Sequence, residues 1–295
     1  MTDSNAHIPV LPREVLDWLR PCSGRTYIDG TLGLGGHAGL ILGDSSPDGR
    51  VLGFEWDSQA AQLAQARLAE FGSRLQLIPS SYAEMAVQCR TQGLVQADGI
   101  LLDLGASSLQ FDRPERGFSF MTDAPLDMRM NTSLLTSAAE LVNQLSQEEL
   151  ADIFYNYGEE RQARRIARFI VEARLAQPVE RTKQLAEIVR QAVPGKYQPK
   201  KIHPATKVFQ ALRIAVNREL DNLAKVLTDA PALLAPGARL CIITFHSLED
   251  RMVKQSFLNN PALRVLTKKP ILPSETELRL NPRSRSAKLR VAVRI

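Results

Sequence analysis

The sequence predicts an α/β protein, a doubly wound and largely parallel sheet interrupted by an inserted all-helical domain. Three observations carry this expectation. Short apolar strands alternate with helical segments from residue 26 to residue 103. The first strand ends in Asp29 and a glycine-rich turn, with glycines at Gly30, Gly33, Gly35 and Gly36, before a helix-like run from Ala38. Residues 137–193 then contain no strand and carry much of the excess Lys and Arg.

Along the chain, residues 7–11 are an extended lead-in, and residues 13–19 form a short helix with Val15, Leu16, Trp18 and Leu19 available for packing. The first strand covers 26–28 and the second 50–54, ending at Glu55. Residues 58–71 read as a helix capped by Ser58 and stopped by Gly72. Residues 75–78 are the third strand, followed by Ser80-Ser81-Tyr82 and a helix over 85–92. The fourth strand, 98–103, is almost wholly apolar, as suits a strand covered on both faces, and ends in Asp103-Leu104-Gly105-Ala106-Ser107-Ser108.

The pattern changes at residue 111. Residues 111–130 are irregular but rich in Phe and Met, which argues against disorder. Helices are expected over 138–145, 146–157, 159–176 and 182–193; Ser146 and Glu149 have the spacing of a capping box. A basic linker, 194–204, leads into a long helix from 205 to about 227. The sheet resumes with a fifth strand at 239–244, then Phe245-His246-Ser247, a helix over 248–258, and a closing pair of strands at 263–267 and 288–295. That strand count, with a terminal antiparallel pair, fits the Rossmann-like seven-stranded sheet of class I S-adenosylmethionine-dependent methyltransferases better than a six-stranded dinucleotide fold. The expected domains are 1–125 and 205–295 for the sheet and 126–204 for the insert.

Composition narrows the function. No apolar run approaches the ~20 residues that span a bilayer, and the N-terminus has no signal-peptide core. Cys22, Cys89 and Cys241 form no Cys-x-x-Cys pair, and the histidines are scattered, so neither disulfides nor a metal site is expected and a reducing cytoplasm is. Net charge is +5. Lys and Arg at 161, 164, 165, 168, 174, 181, 183, 190, 196, 200, 201, 207 and 213 are opposed there only by Glu172, Glu180 and Glu187, a concentration that suits a phosphate backbone.

The chemistry-bearing residues gather at strand ends. A strand, glycine turn and helix bring bare N–H groups and a helix N-terminus toward a ligand. The spacing is neither Gly-x-Gly-x-x-Gly from Gly30 nor a P-loop, so the turn gains weight from Glu55, about 20 residues on, where a ribose-binding acid is expected. The other reading of Glu55 is an ordinary strand-end carboxylate. Tyr82 lies along an adenine or closes the next helix as a surface aromatic. Asp103, at the end of a central strand and followed by glycine and hydroxyls, marks a reaction site. His246 faces that site or is a strand-end histidine satisfied by backbone.

Several long motifs are distinctive together: His7-Ile8-Pro9-Val10-Leu11, the stretch from Asp29 to His37, Leu101 through Gln110, Arg116 to Phe120, Leu126 to Met130, His203 through Asn217, Phe245-His246-Ser247-Leu248-Glu249-Asp250-Arg251, and Ser284 through Arg290. On these the chain closely resembles, over nearly its full length, the bacterial 16S ribosomal RNA cytosine-N4 methyltransferases of the RsmH (MraW) type. The resemblance implies that Gly35, Gly36 and His37 contact S-adenosylmethionine, with Asp103 and Gln110 as further contacts. Glu55 stands where the family usually has Asp, and Tyr82 where it usually has Phe; a carboxylate and an aromatic wall are kept. The implied substrate is a cytidine of the decoding centre, bound as RNA, within the small subunit, through the helical insert.

Methyl transfer from a sulfonium needs alignment rather than a metal. The cytosine amino nitrogen is a poor nucleophile, and an acidic acceptor for its hydrogens offsets this. Asp103 is expected as that acceptor or as a cofactor anchor, with Ser107, Ser108 and His246 around the base. No aromatic closes the Asp103-Leu104-Gly105-Ala106 segment, so Phe118, Phe120, Phe245 and His246 are the stacking candidates. Two other classes compete, a nicotinamide-dependent oxidoreductase and a catalytically silent RNA-binding scaffold. Neither accounts for the basic insert together with Glu55, Asp103 and Gln110. Another RNA cytidine is the alternative substrate.

Overall fold

The first half of the sheet is built from short alternating elements: α1 (Pro12–Leu19), β1 (Thr26–Asp29), α2 (Gly36–Asp44), β2 (Arg50–Phe54), α3 (Ser58–Arg67), β3 (Leu75–Ile78), α4 (Met85–Thr91) and β4 (Ala97–Asp103). The structure, a computed structural model, describes residues 8–199 and 202–295, so His7, Lys200 and Lys201 of the sequence motifs lie outside it. Alternation on β4 shows why these strands read as continuous apolar runs: Ile100 and Leu102 enter one core cluster and Leu101 the other, one on each face of the sheet. α3 is shorter than the expected 58–71 helix. Asp57, not Ser58, caps it through Oδ1 and the Gln59 N–H (3.1 Å), and a 3₁₀ turn over Ala69–Arg74 replaces its last turn.

The chain divides into two compact units, Met1–Gly105 with Leu220–Ile295, and Ala106–Glu219. The second holds α5 (Ser108–Asp112), α6 (Ala138–Gln144), α7 (Gln147–Gly158), α8 (Ala163–Ala176), α9 (Thr182–Ala192) and α10 (Thr206–Asn217). Capping boxes start α5, α6 and α7, at Ser107/Gln110, Ser137/Glu140 and Ser146/Glu149. This unit is wider than the expected 126–204 insert at both ends. α10 belongs to it because Val208, Phe209, Ala211, Leu212 and Val216 enter the same core as Leu150, Phe154, Ile166, Ile170 and Val189. The expected long helix from 205 is in fact two. Arg218 adopts a left-handed conformation (φ 51°), ending α10 before α11 (Glu219–Leu233) begins.

The sheet is completed by β5 (Leu234–Thr244), α12 (Ser247–Asn259), β6 (Leu263–Val265), α13 (Glu275–Leu280) and β7 (Lys288–Arg294). Its seven strands run in the order β3-β2-β1-β4-β5-β7-β6, with β7 antiparallel to both neighbours, which is the arrangement the strand count implied. α13 was not expected. The order reverses between β1 and β4, and ligands of open α/β sheets bind outside the carboxyl ends of strands at such a point. Asp29, Glu55 and Asp103 are there, on the adjacent strands β1, β2 and β4 or one residue past them. No helix among the described residues is long and apolar enough to cross a membrane.

Candidate active site

The turn after β1 is held from both sides. Gly30 N–H donates to the Leu101 carbonyl (2.9 Å), Leu32 N–H to Phe54 (2.9 Å) and Gly35 N–H to Leu32 (2.7 Å). Gly33 (φ 52°) and Gly35 (φ 79°) occupy the left-handed region, and Gly35 caps α2. A Cβ at Gly35 would lie 2.6 Å from Leu68 Cδ1, so glycine there also admits the packing of the segment after α3. Gly36 and His37 open the helix.

Glu55 does more than end a strand. Its Oε2 accepts the Gly33 N–H (2.9 Å) and its Oε1 the Asp57 N–H (2.8 Å). The carboxylate is thereby fixed against the glycine turn, and each oxygen retains a second lone pair for a ligand hydroxyl. The longer Glu spans to Gly33 while keeping a carboxylate at the strand tip. Burial, the largest influence, pushes its pKa up to about 7, opposed by those backbone donors.

The densest chemistry is at β1 and β4. Asp29 is 1% exposed and His37 6% exposed. Asp29 Oδ1 accepts the Thr31 N–H (3.1 Å), and Thr31 Oγ1 accepts the Asp103 N–H (2.6 Å), which ties the two strand tips together. His37 Nε2 lies 3.5 Å from Asp103 Oδ2. Burial raises the Asp29 pKa to about 6, with His37 pulling the other way. Burial also opposes protonation of His37, but the Asp103 and Asp29 carboxylates outweigh it and raise the imidazole pKa.

Among the described residues, Asp29 Oδ2, Asp103 Oδ1 and His37 Nδ1 are buried without a hydrogen-bond partner, and His37 Nε2 has only its 3.5 Å approach to Asp103 Oδ2. Buried polar groups are normally satisfied, and these lie together at the tips of β1 and β4. Two carboxylates suit a ligand with cationic groups, an imidazolium suits an anionic group, and Glu55 suits a diol. In the sequence Asp29 shows only as the acid that closes the first strand. Its signal was its place in the Asp29-to-His37 motif. Thr31, in the same stretch, carries no such signal in the sequence.

Tyr82 follows β3 at the start of a 3₁₀ turn, partly buried against the core, with its Cβ 3.3 Å from where a Cβ on Gly30 would sit. His246 caps α12: its Nδ1 accepts the Glu249 N–H (3.4 Å), Glu249 Oε2 accepts the Phe245 and His246 N–H groups (2.8 and 3.3 Å), and His246 Nε2 is 3.2 Å from Glu249 Oε1. Backbone satisfaction, the plainer of the two readings of His246, is thus present at Nδ1. A Cβ added at Gly105, whose φ of 97° favours glycine, would meet the Phe245 ring at 3.5 Å.

Ser107, Ser108 and Gln110 belong to the helical unit. Ser107 Oγ accepts the Gln110 N–H (3.4 Å), Gln110 Oε1 accepts the Ser107 N–H (3.0 Å), and Gln110 Nε2 donates to the Met130 carbonyl (3.4 Å). Of the stacking candidates, Phe118 is buried edge-on to Phe111, and Phe120 packs on Phe209 and His203. On α8, Arg164, Arg165 and Arg168 are exposed, and Arg165 and Arg168 flank the Phe169 ring at 5.2 and 5.5 Å.

Comparison with known proteins adds a family. The profile of the MraW methylase family matches residues 4–295. A protein of Desulfotalea psychrophila called ribosomal RNA small subunit methyltransferase H is 52% identical over 295 residues, covering all of both chains. Proteins of the same name from a Cyanothece strain and from Geobacter sulfurreducens are 53% and 50% identical, over 98% of this chain and 95% and 99% of their own.

Proposed function

The chain belongs to the MraW methylase family, and from that membership we propose that it methylates the exocyclic N4 of a decoding-centre cytidine in 16S ribosomal RNA, using S-adenosylmethionine. The observation that carries this is the end-to-end match to relatives named as small-subunit ribosomal RNA methyltransferases. The orphaned buried atoms fit the cofactor: Asp29 and Asp103 suit its cationic amino and sulfonium groups, His37 its carboxylate, and Glu55 its ribose diol.

When bound, the cofactor supplies a methyl group already activated on sulfonium. The protein's part is alignment and charge. Gly35 and Gly36 bring main chain and the N-terminus of α2 to the crevice, and Tyr82 offers a wall for adenine. Asp103, kept in place through its own N–H to Thr31, accepts the hydrogens of the cytosine amino group or anchors the cofactor. As acceptor it raises the nucleophilicity of a nitrogen whose lone pair is delocalised into the ring. Ser107, Ser108 and His246 surround the base, and Gln110 completes the cofactor contacts. A paired base hides its amino group, so the cytidine is splayed from its helix before reaction.

The exposed arginines of α8 supply phosphate contacts and a cation-flanked aromatic face for the RNA. The substrate is the small subunit rather than free nucleoside, and the enzyme works in the cytoplasm. Mass spectrometry of nucleosides, after incubating unmodified small subunits with labelled cofactor, tests the reading. Label in N4-methylcytidine from one decoding-centre position is expected. Label in another base, or at a cytidine elsewhere, overturns it.

A further inference from the structure

One cavity in the sheet unit plays no part in the site above. It holds about 300 Å³, near the lower end of ligand-binding clefts, between α12 and the β6–β7 edge. Its apolar wall comes from Phe257 and Leu258 of α12 and Val265 of β6. Every polar group lining it is a donor or can be one: Arg290, Thr267, Lys254 and Lys268.

Arg290 is 6% exposed and Thr267 likewise 6%. Asp250 takes Nε and Nη2 of Arg290 at 2.6 and 3.1 Å, which fixes the guanidinium and leaves Nη1 without a protein partner among the described residues. Thr267 Oγ1 accepts the Val291 N–H (2.9 Å), so its hydroxyl proton remains to be given. Lys254 and Lys268 are exposed at the rim, and neither has an acidic partner among the described residues. A cavity with an apolar wall, a fixed arginine and two unpaired ammonium groups is complementary to a flat group carrying a phosphate.

The register separates this cavity from the cofactor crevice. Arg290 pairs with Ile242 of β5, and Ile242 with Leu102 of β4. Arg290 is thus two strands from β4, about 10 Å at the usual strand spacing, and level with its carboxyl end. Leu102 and Ile242 face the α12 side, whereas Asp103 alternates to the other face.

We propose that this cavity is a second RNA site, holding an unpaired nucleotide of the substrate away from the target cytidine, with its base on Leu258 and Val265 and its phosphate on Arg290, Lys254 and Lys268. The proposal rests on the RNA-methyltransferase reading and adds an affinity determinant on the sheet unit, separate from the arginine-rich helices.

The test is the full-length double variant Lys254→Glu/Lys268→Glu, with Leu258→Glu as a second, uncrowded surface change. Binding to unmodified small subunits is measured against salt, beside S-adenosylmethionine binding and turnover. Affinity for subunits is expected to fall at least tenfold in the double variant, with the slope of log K against log salt shallower by about 0.7–0.9 for one lost phosphate contact. KM for subunits rises, while kcat and cofactor affinity stay at wild-type values. Leu258→Glu shows the same pattern with a smaller salt change. Unchanged subunit affinity in both variants overturns the site. So does competition by free CMP at the affinity of the chain, which would make the cavity a mononucleotide site, or crosslinking of the cavity to a ribosomal protein rather than RNA. Failure of the wild type to methylate subunits it still binds through Lys254 and Lys268 would instead overturn the functional reading and leave the RNA site standing.

Discussion

The two compact units bury polar side chains to opposite ends. In the helical unit, Asn217 clamps the loop after residue 125: Oδ1 accepts the Met130 N–H (2.7 Å), and Nδ2 donates to the Met128 and Arg213 carbonyls (2.8 Å each). Arg116 Nη2 donates to the carbonyls of Arg129 and Met130 (2.9 and 2.8 Å), and Gln110 reaches Met130 as well. Those contacts hold Met128 in a left-handed conformation (φ 62°) that a β-carbon disfavours. In the sheet unit, Asp29 and His37 are about as buried and Asp103 half-buried, yet each keeps a buried polar atom without a hydrogen-bond partner among the described residues. Polar groups that close on the main chain build a shape, and polar groups left open await a ligand.

The sharpest way to break this contrast is a pair of truncations. Asp103→Ala removes an open group whose backbone N–H still bonds Thr31. Its turnover on small subunits is expected to fall ~10²–10⁴-fold, the range for loss of a positioned acid–base group, with the thermal midpoint almost unchanged. A variant that unfolds instead would place Asp103 with the scaffold.

Asn217→Ala is the converse. It leaves a buried N–H and a buried carbonyl unpaired, at ~1–3 kcal/mol each, so a loss of about 2–6 kcal/mol is expected by denaturant titration. Cofactor affinity of the folded fraction stays at the wild-type value. Asn217→Asp keeps the acceptor for Met130 but loses the donor to Met128, and should fall between. If Asn217→Ala instead kept its stability and lost cofactor affinity, the helical unit's polar groups would be ligand groups too.

The same contrast explains what could be read from the sequence. Asp29, Glu55 and Asp103 each close an apolar run, so their places at neighbouring strand tips follow from strand periodicity. What periodicity cannot give is the partner of each polar atom. Asp29 before Gly30 reads like any turn acid until its Oδ2 is seen to be orphaned. His246 and Glu249 have the spacing of a capping box, but histidine is a rare cap and geometry was needed to show it. The pattern of Val208, Phe209 and Leu212 shows that α10 is buried and leaves open which core receives it, so periodicity alone does not extend the insert beyond residue 204. Arg218 carries no residue signal for a left-handed break, so two helices read as one.

A smaller effect probes the halfway case. Glu55 is both closed, on Gly33 and Asp57, and open, toward a diol. Glu55→Gln has only one acceptor oxygen for those two N–H groups and gives up the charge. Hydrogen bonds to charged groups are worth ~1.5–3 kcal/mol, so cofactor affinity is expected to fall about 10–100-fold by titration calorimetry, with turnover at saturating cofactor little changed. Glu55→Asp keeps the charge but shortens the reach to Gly33 and should lose less. Equal losses in both would show that the brace on the glycine turn matters more than the carboxylate.

The mildest change is in pH. Burial holds Asp29 at about 6 and Glu55 at about 7, above the ordinary values of ~4 that they regain on unfolding. Between about pH 4 and 7 the ligand-free folded protein therefore binds more protons than the unfolded chain. The contribution of these groups to stability falls as pH rises through that window and is level above it. Hydroxyls donating to Glu55 favour its carboxylate, so cofactor binding near neutrality expels a proton. Affinity should rise about tenfold from pH 6 to pH 8, as expected for one group titrating near 7, and calorimetry in buffers of different ionisation heat counts the proton. Glu55→Gln should flatten the profile. His37 pulls the opposite way: the Asp103 and Asp29 carboxylates raise its pKa against burial, and its proton leaves as pH rises. An affinity that falls from pH 6 to pH 8 would assign the linkage to that imidazolium gripping the cofactor carboxylate, and would make the β1–β4 cluster, rather than the β2 tip, the part of the crevice that senses pH.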